Sequence, residues 1–133
     1  MSSFTDPLTV VQIPFSDEWA TLRAFSFWYD CDEIDLPMDV RCRGRVTVPE
    51  GTRTDFASIP QVLWSLIGHP AGRYAQAAVL HDYLYRTGAL SRARCDELFR
   101  EAMEVLGVPW HQRWLMWAGV RVGGALAYSK GAP

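Results

Sequence analysis

The sequence predicts an α+β fold, a small N-terminal antiparallel sheet packed on a C-terminal bundle of three to four helices. Two observations predict it. Up to residue 57, Val, Ile, Thr, Phe and Trp gather in short runs punctuated by Pro14, Pro37, Pro49 and Gly51, the signature of strands and turns. From residue 58 onward, apolar residues recur three and four apart, and Ser, Gly and Pro fall where helices start and stop. A chain of 133 residues, 49% hydrophobic and 21% charged, has enough apolar surface for one core. The two halves, 1–57 and 58–133, therefore read as one domain.

Taken in order, strands are expected over 8–13, 22–29 and 45–48. The stretch DCDEIDLPMD, residues 30–39, is acidic and reads as a solvated loop or hairpin end, with a cation site as the alternative. Pro60 opens a short helix over 60–67, with Ser58 or Asp55 to cap it and Gly68 to end it. A second helix covers 71–86, AGRYAQAAVLHDYLYR, closed by Thr87 and Gly88. Ser91 is a natural N-cap for a third over 92–106, which Gly107 stops. Pro109 opens a fourth over 109–128. No repeat or low-complexity tract interrupts the chain.

Bulk properties exclude several function classes. A net charge of −2 lacks the basic surplus of a phosphate-backbone binder, so no nucleic-acid partner is expected. Three cysteines, Cys31, Cys42 and Cys95, do not make a disulfide framework, and no CxxC pair offers a zinc site. The opening residues lack the basic and apolar regions of a secretory signal. The most apolar segment, 114–128, is too short to span a bilayer and is interrupted by Arg121. Synthesis and folding in a cytoplasm are expected.

HDYLY, residues 81–85, sets His81 and Asp82 in an otherwise apolar stretch, where a buried imidazole or carboxylate costs free energy unless paired. Tyr74, Ala77, Ala78, His81 and Tyr85 share one helix face, and the two alanines leave room for a neighbour to approach. His81 lies five residues before Arg86 and Asp96 five after Ser91. At about 1.5 Å per residue, both sit roughly 7–8 Å from the short connection between their helices. Helices joined so closely pack antiparallel, so Asp96 is level with an imidazole nitrogen of His81. The carboxylate would fix the tautomer and leave the other nitrogen as a general base. Equally, a His–Asp bond between helices can simply lock their register. Asp82, rotated by about 100°, points elsewhere, towards a metal ion, another helix N-terminus or backbone N–H groups of the TRTDFASIP loop. In that loop Thr54, Asp55 and Ser58 mark a loop-to-helix junction, where both working residues and plain caps occur.

TDFASIP (54–60), AAVLHDYLYRTG (77–88), RCDELFREAM (94–103) and RWLMWAGVRVGG (113–124) are similar to the phage-encoded family of unknown function catalogued as number 1353. The resemblance runs over most of the chain. It implies a bacteriophage or prophage origin, production in the host bacterial cytoplasm and, in one setting, association with the virion. HDYLY followed by CDELF resembles, over residues 77–99, the histidine–aspartate phospholipases that cleave the sn-2 ester. That resemblance implies that His81 activates water, Asp96 orients His81 and Tyr85 buttresses Asp96. It also implies that Asp82 binds calcium. Those enzymes bring further calcium ligands from a glycine-rich loop; here the upstream segment is GHPAG, residues 68–72. Asp55 would have to stand in for that loop, with His69 as an extra ligand, and calcium, zinc, another metal or none stay open.

Trp110, Trp114 and Trp117 recur at i, i+4 and i+7 on the last helix, and Arg113 and Arg121 flank the stripe as they would at a lipid headgroup boundary. Such a stripe belongs to a core, to a face meeting a membrane, or to packing against another helix or a neighbouring subunit. Three functions follow from these readings. One is a small phage hydrolase acting on a phospholipid ester or peptidoglycan of the host envelope at entry or lysis. The second is a virion, tail or assembly protein that contacts phage structural proteins or self-associates through 109–128. The third is a module that binds and neutralises a host factor.

Overall fold

The computed structural model describes residues 3–14, 19–30, 43–54, 74–88 and 90–123. Six strands come first: β1 (Ser3–Phe4), β2 (Val10–Gln12), β3 (Trp19–Thr21), β4 (Phe25–Asp30), β5 (Arg43–Val48) and β6 (Arg53–Thr54). Three helices follow: α1 (Ala75–Thr87), α2 (Arg92–Val105) and α3 (Trp110–Gly123). The α+β expectation holds, with one refinement. The described strands form two antiparallel three-stranded sheets, ordered β1-β4-β5 and β2-β3-β6. The strand expected over 22–29 starts only at Phe25, because residues 22–24 carry the chain from one sheet to the other. Leu22 N–H donates to the Thr9 carbonyl at 2.8 Å as the chain leaves β3.

The β4–β5 register explains which sheet face meets the helices. Phe25 lies opposite Val48 and Phe27 opposite Val46, so alternation places Phe25, Phe27 and Val48 in the core. The other face is polar: Ser26 and Thr47 hydroxyls lie 2.8 Å apart, and Arg45 Nε donates to Ser26 Oγ at 3.1 Å. Gly44 is required by close approach, since a Cβ there would lie 2.2 Å from Tyr29 Cζ.

The helix boundaries follow the punctuation. Gly88 adopts φ 61° and returns its N–H to the Leu84 carbonyl at 3.1 Å, closing α1. Ser91 Oγ accepts the Arg94 N–H at 3.2 Å, capping α2. Past α2, Gly107 (φ 80°) donates to Glu104 O and Val108 to Met103 O, both at 3.0 Å. These are the two bonds of a Schellman turn, and Val108 is buried there. The Pro109 carbonyl accepts the N–H groups of Gln112 and Arg113 to start α3. The expected helix over 60–67 lies outside the described residues, as do 71–73 and 124–128 at the ends of two others.

One core joins the halves. Phe25, Phe27 and Val48 meet Ala77, Leu80 and Leu84 of α1, Leu98, Phe99 and Met103 of α2, and Met116 and Val120 of α3. Each fully buried Leu, Phe or Met contributes about 1.5–3 kcal/mol of transfer free energy. His81 and Asp96 sit inside this apolar body.

Candidate functional site

α1 presents Ala77, Ala78, His81 and Tyr85 on its buried face, and α2 presents Cys95, Asp96 and Phe99. The alanines keep the contact close. Asp96 Oδ1 accepts from His81 Nε2 at 2.8 Å and from the Tyr85 hydroxyl. Asp96 Oδ2 accepts from Arg121 Nη1 of α3 at 2.9 Å, with Arg92 Nη1 3.9 Å away. His81 and Asp96 are both 0% exposed. The dyad expected from the level positions of His81 and Asp96 is thus formed, with Tyr85 buttressing it.

The protonation pattern follows from the partners. Burial by itself pushes the Asp96 carboxyl up. Hydrogen bonds from His81, Tyr85 and Arg121 outweigh it and hold the group below its usual range. An ionised carboxylate accepts, so His81 Nε2 carries a hydrogen, and in the neutral ring Nδ1 then holds the lone pair. Nδ1 is shielded from water and has no hydrogen-bond partner among the described residues. The ring is held between Tyr85 and Phe99, at centroid distances of 4.1 and 4.7 Å. Burial and then the Asp96 carboxylate push the Tyr85 phenol up, so it stays a donor. Burial pushes the neighbouring Cys95 thiol up to about 12, which makes it an inert packing group.

Two members were not anticipated as site residues. Arg121 stands out in the sequence only as a charge that interrupts an apolar segment and flanks the tryptophan stripe. Arg92 stands one turn before Asp96, and its Nη1 donates to the Arg121 carbonyl at 3.1 Å, at the C-terminal end of α3. Together they tie all three helices to one carboxylate.

Asp82 points away from the dyad, as its rotation requires. Arg86 Nη2 lies 3.6 Å from Asp82 Oδ2, and Arg86 also donates to the Arg53 carbonyl of β6. The segment that follows β6 carries Asp55 and Ser58, which lie outside the described residues, as does His69. Thr54 pairs opposite Trp19 in β6. Among the described residues no group of three or more His, Cys, Asp or Glu is placed to hold a metal ion. Asp82 alone offers one carboxylate of the six to eight oxygens calcium takes. Of the tryptophan stripe, Trp110 is 67% and Trp114 46% exposed, while Trp117 is half-buried.

Comparison with known proteins reaches the same segment. The family described as "Protein of unknown function (DUF1353)" matches residues 33–120, which take in β5, all of α1 and α2, and most of α3. The uncharacterized protein y4jT of Sinorhizobium fredii is 44% identical over 73 residues, 53% of this chain and 22% of that protein. The chain therefore matches about a fifth of the length of that curated relative. No solved structure matches it.

Proposed function

The chain belongs to the DUF1353 family of proteins of unknown function, and from its own residues we propose a small hydrolase in which His81 is the general base. One observation carries the reading: His81 Nδ1 is buried and, among the described residues, without a hydrogen-bond partner, on a ring whose other nitrogen is fixed by an ionised carboxylate. An imidazole used only as a lock gains by pairing both nitrogens, and a bare buried acceptor costs about 1–3 kcal/mol.

In this mechanism a local opening of the buried site admits water and substrate to Nδ1, which takes a proton as the water oxygen bonds to an ester carbonyl carbon. The carbonyl–alkoxy bond then breaks, and His81 returns the proton to the leaving oxygen. Asp96 supports the transient imidazolium, while Arg121 and Tyr85 keep Asp96 ionised and oriented. Calcium or zinc on Asp82 with Asp55, which the phospholipase resemblance implies, enters no step here, because Asp82 faces Arg86 and not the dyad. The resemblance of HDYLY and CDELF to sn-2 phospholipases favours a phospholipid ester over peptidoglycan. A bacteriophage origin, implied by the resemblance of TDFASIP and HDYLY, would favour a substrate in a host envelope.

Complete burial of His81 and Asp96 favours a second reading, a lock of three helices in a virion, assembly or binding protein. The two separate in one experiment. The full chain is incubated with phosphatidylglycerol vesicles and with purified peptidoglycan, with calcium or zinc added. The hydrolase reading expects ester release that falls about 100-fold or more in His81→Gln. No release from either substrate leaves the helix lock.

A further inference from the structure

We propose that the outer face of α3 docks on the surface of an anionic phospholipid bilayer. Met116 and Val120 turn to the core, and the opposite face presents Trp110, His111, Trp114, Leu115, Ala118 and Val122. Leu115 is 36% and Val122 88% exposed, alongside the two exposed tryptophans. No charged side chain lies among these six positions, and only one is polar. A water-facing surface helix ordinarily carries charge there.

Size and charge select the occupant. α3 has 14 residues, hence a length of about 21 Å, and a face about 10 Å wide covers roughly 200 Å². A stable protein interface buries about 800 Å² on each partner, so a second copy docked on this face alone would fall far short. No described helix is long and apolar enough to cross a membrane, which leaves α3 lying in the surface plane. Although the chain carries −2 overall, α3 contains no Asp or Glu, and beside the Arg121 that turns inward onto Asp96 it carries Arg113. Beside it, the Arg100 guanidinium of α2 stacks on Trp114 at 4.6 Å. A layer of phosphate groups supplies the negative charge that Arg100 and Arg113 complement, and tryptophan concentrates in that layer.

This docking does not depend on the hydrolase reading, and its test removes the ester. The full chain is sedimented with vesicles of ether-linked phosphatidylglycerol and phosphatidylcholine in equal parts, and with ether-linked phosphatidylcholine alone. At least tenfold tighter binding to the anionic vesicles is expected, weakening as salt is raised. Trp110→Glu and Val122→Glu should each lower it tenfold or more. Val122 is exposed enough to be changed without disturbing the fold, which circular dichroism checks. A chain left in the supernatant, or a Val122→Glu variant that binds like the unmodified protein, overturns the proposal. So does a concentration-dependent dimer that Trp110→Glu dissolves, which would make a second copy the occupant.

Discussion

α3 has two sides that obey opposite rules. Inward, Arg121 reaches a carboxylate whose two oxygens are both engaged, inside a body from which water is excluded. Outward, Trp110, Trp114 and Val122 meet solvent with no charge among them. The inner side satisfies its polar groups at the expense of a fixed geometry, and leaves one nitrogen, His81 Nδ1, bare. The outer side contributes little to the fold and is therefore free to meet something else. Stability should respond steeply to changes on the first side and hardly at all on the second.

The largest effect is expected at Asp96. Asp96→Ala strands His81 Nε2, the Tyr85 hydroxyl and the Arg121 guanidinium in the core. Breaking a buried pair of this kind costs about 3–5 kcal/mol, read as a drop in the urea midpoint with unchanged slope. Arg121→Met should cost less, about 1.5–3 kcal/mol, because Asp96 keeps His81 and Tyr85. Arg121 is also partly exposed, which reduces the penalty. If Arg121→Met were neutral, the tie between α3 and the dyad would carry no stability, and the contrast between the two sides would fail.

How much of this was legible depends on the range of the signal. Gly88, Ser91, Gly107 and Pro109 set helix ends through bonds to residues three to five positions away, so the sequence shows them directly. The His81–Asp96 contact was legible for the same reason, since a short connection fixes the register of neighbouring helices. β1, β3 and β6 are two or three residues long, too short for any alternation to show. β1 joins β4, and β3 joins β6, only through partners far along the chain. Arg121 is 25 positions from Asp96 and meets it only because α3 folds back across α2. Nothing local announces that crossing. The acidic stretch 30–39, Cys31, Cys42 and the metal expectation resting on Asp55 and His69 lie outside the described residues.

Proton linkage gives two intermediate effects with opposite signs. The Asp96 carboxyl is held below its ordinary 3.8, so between the folded value and 3.8 the unfolded chain binds more protons. Its contribution is present above about pH 4 and lost as pH falls. Asp96→Asn should flatten stability against pH on that acid limb. Cys95 runs the other way: its thiol goes from 9.0 to about 12 on folding, so the unfolded chain loses its proton first. Stability should therefore fall as pH rises from about 9. In Cys95→Ala the decline should begin nearer pH 10, where the buried Tyr74, pushed up to about 12, takes over. Urea titrations from pH 2 to 11 check both.

The smallest effect is the one that completes the contrast. Trp110→Ser and Val122→Ser remove large apolar side chains, and in a core each would cost several kcal/mol. On the outer side of α3 they lose almost no buried area. The change in stability should stay within about 0.5 kcal/mol, read from the same urea midpoints. A loss above about 1.5 kcal/mol in Trp110→Ser would show that the indole supports the fold, and the face would then be part of the core's edge. A near-zero change leaves two large apolar side chains held in water with no return in stability. That combination is what separates a binding surface from a badly covered core.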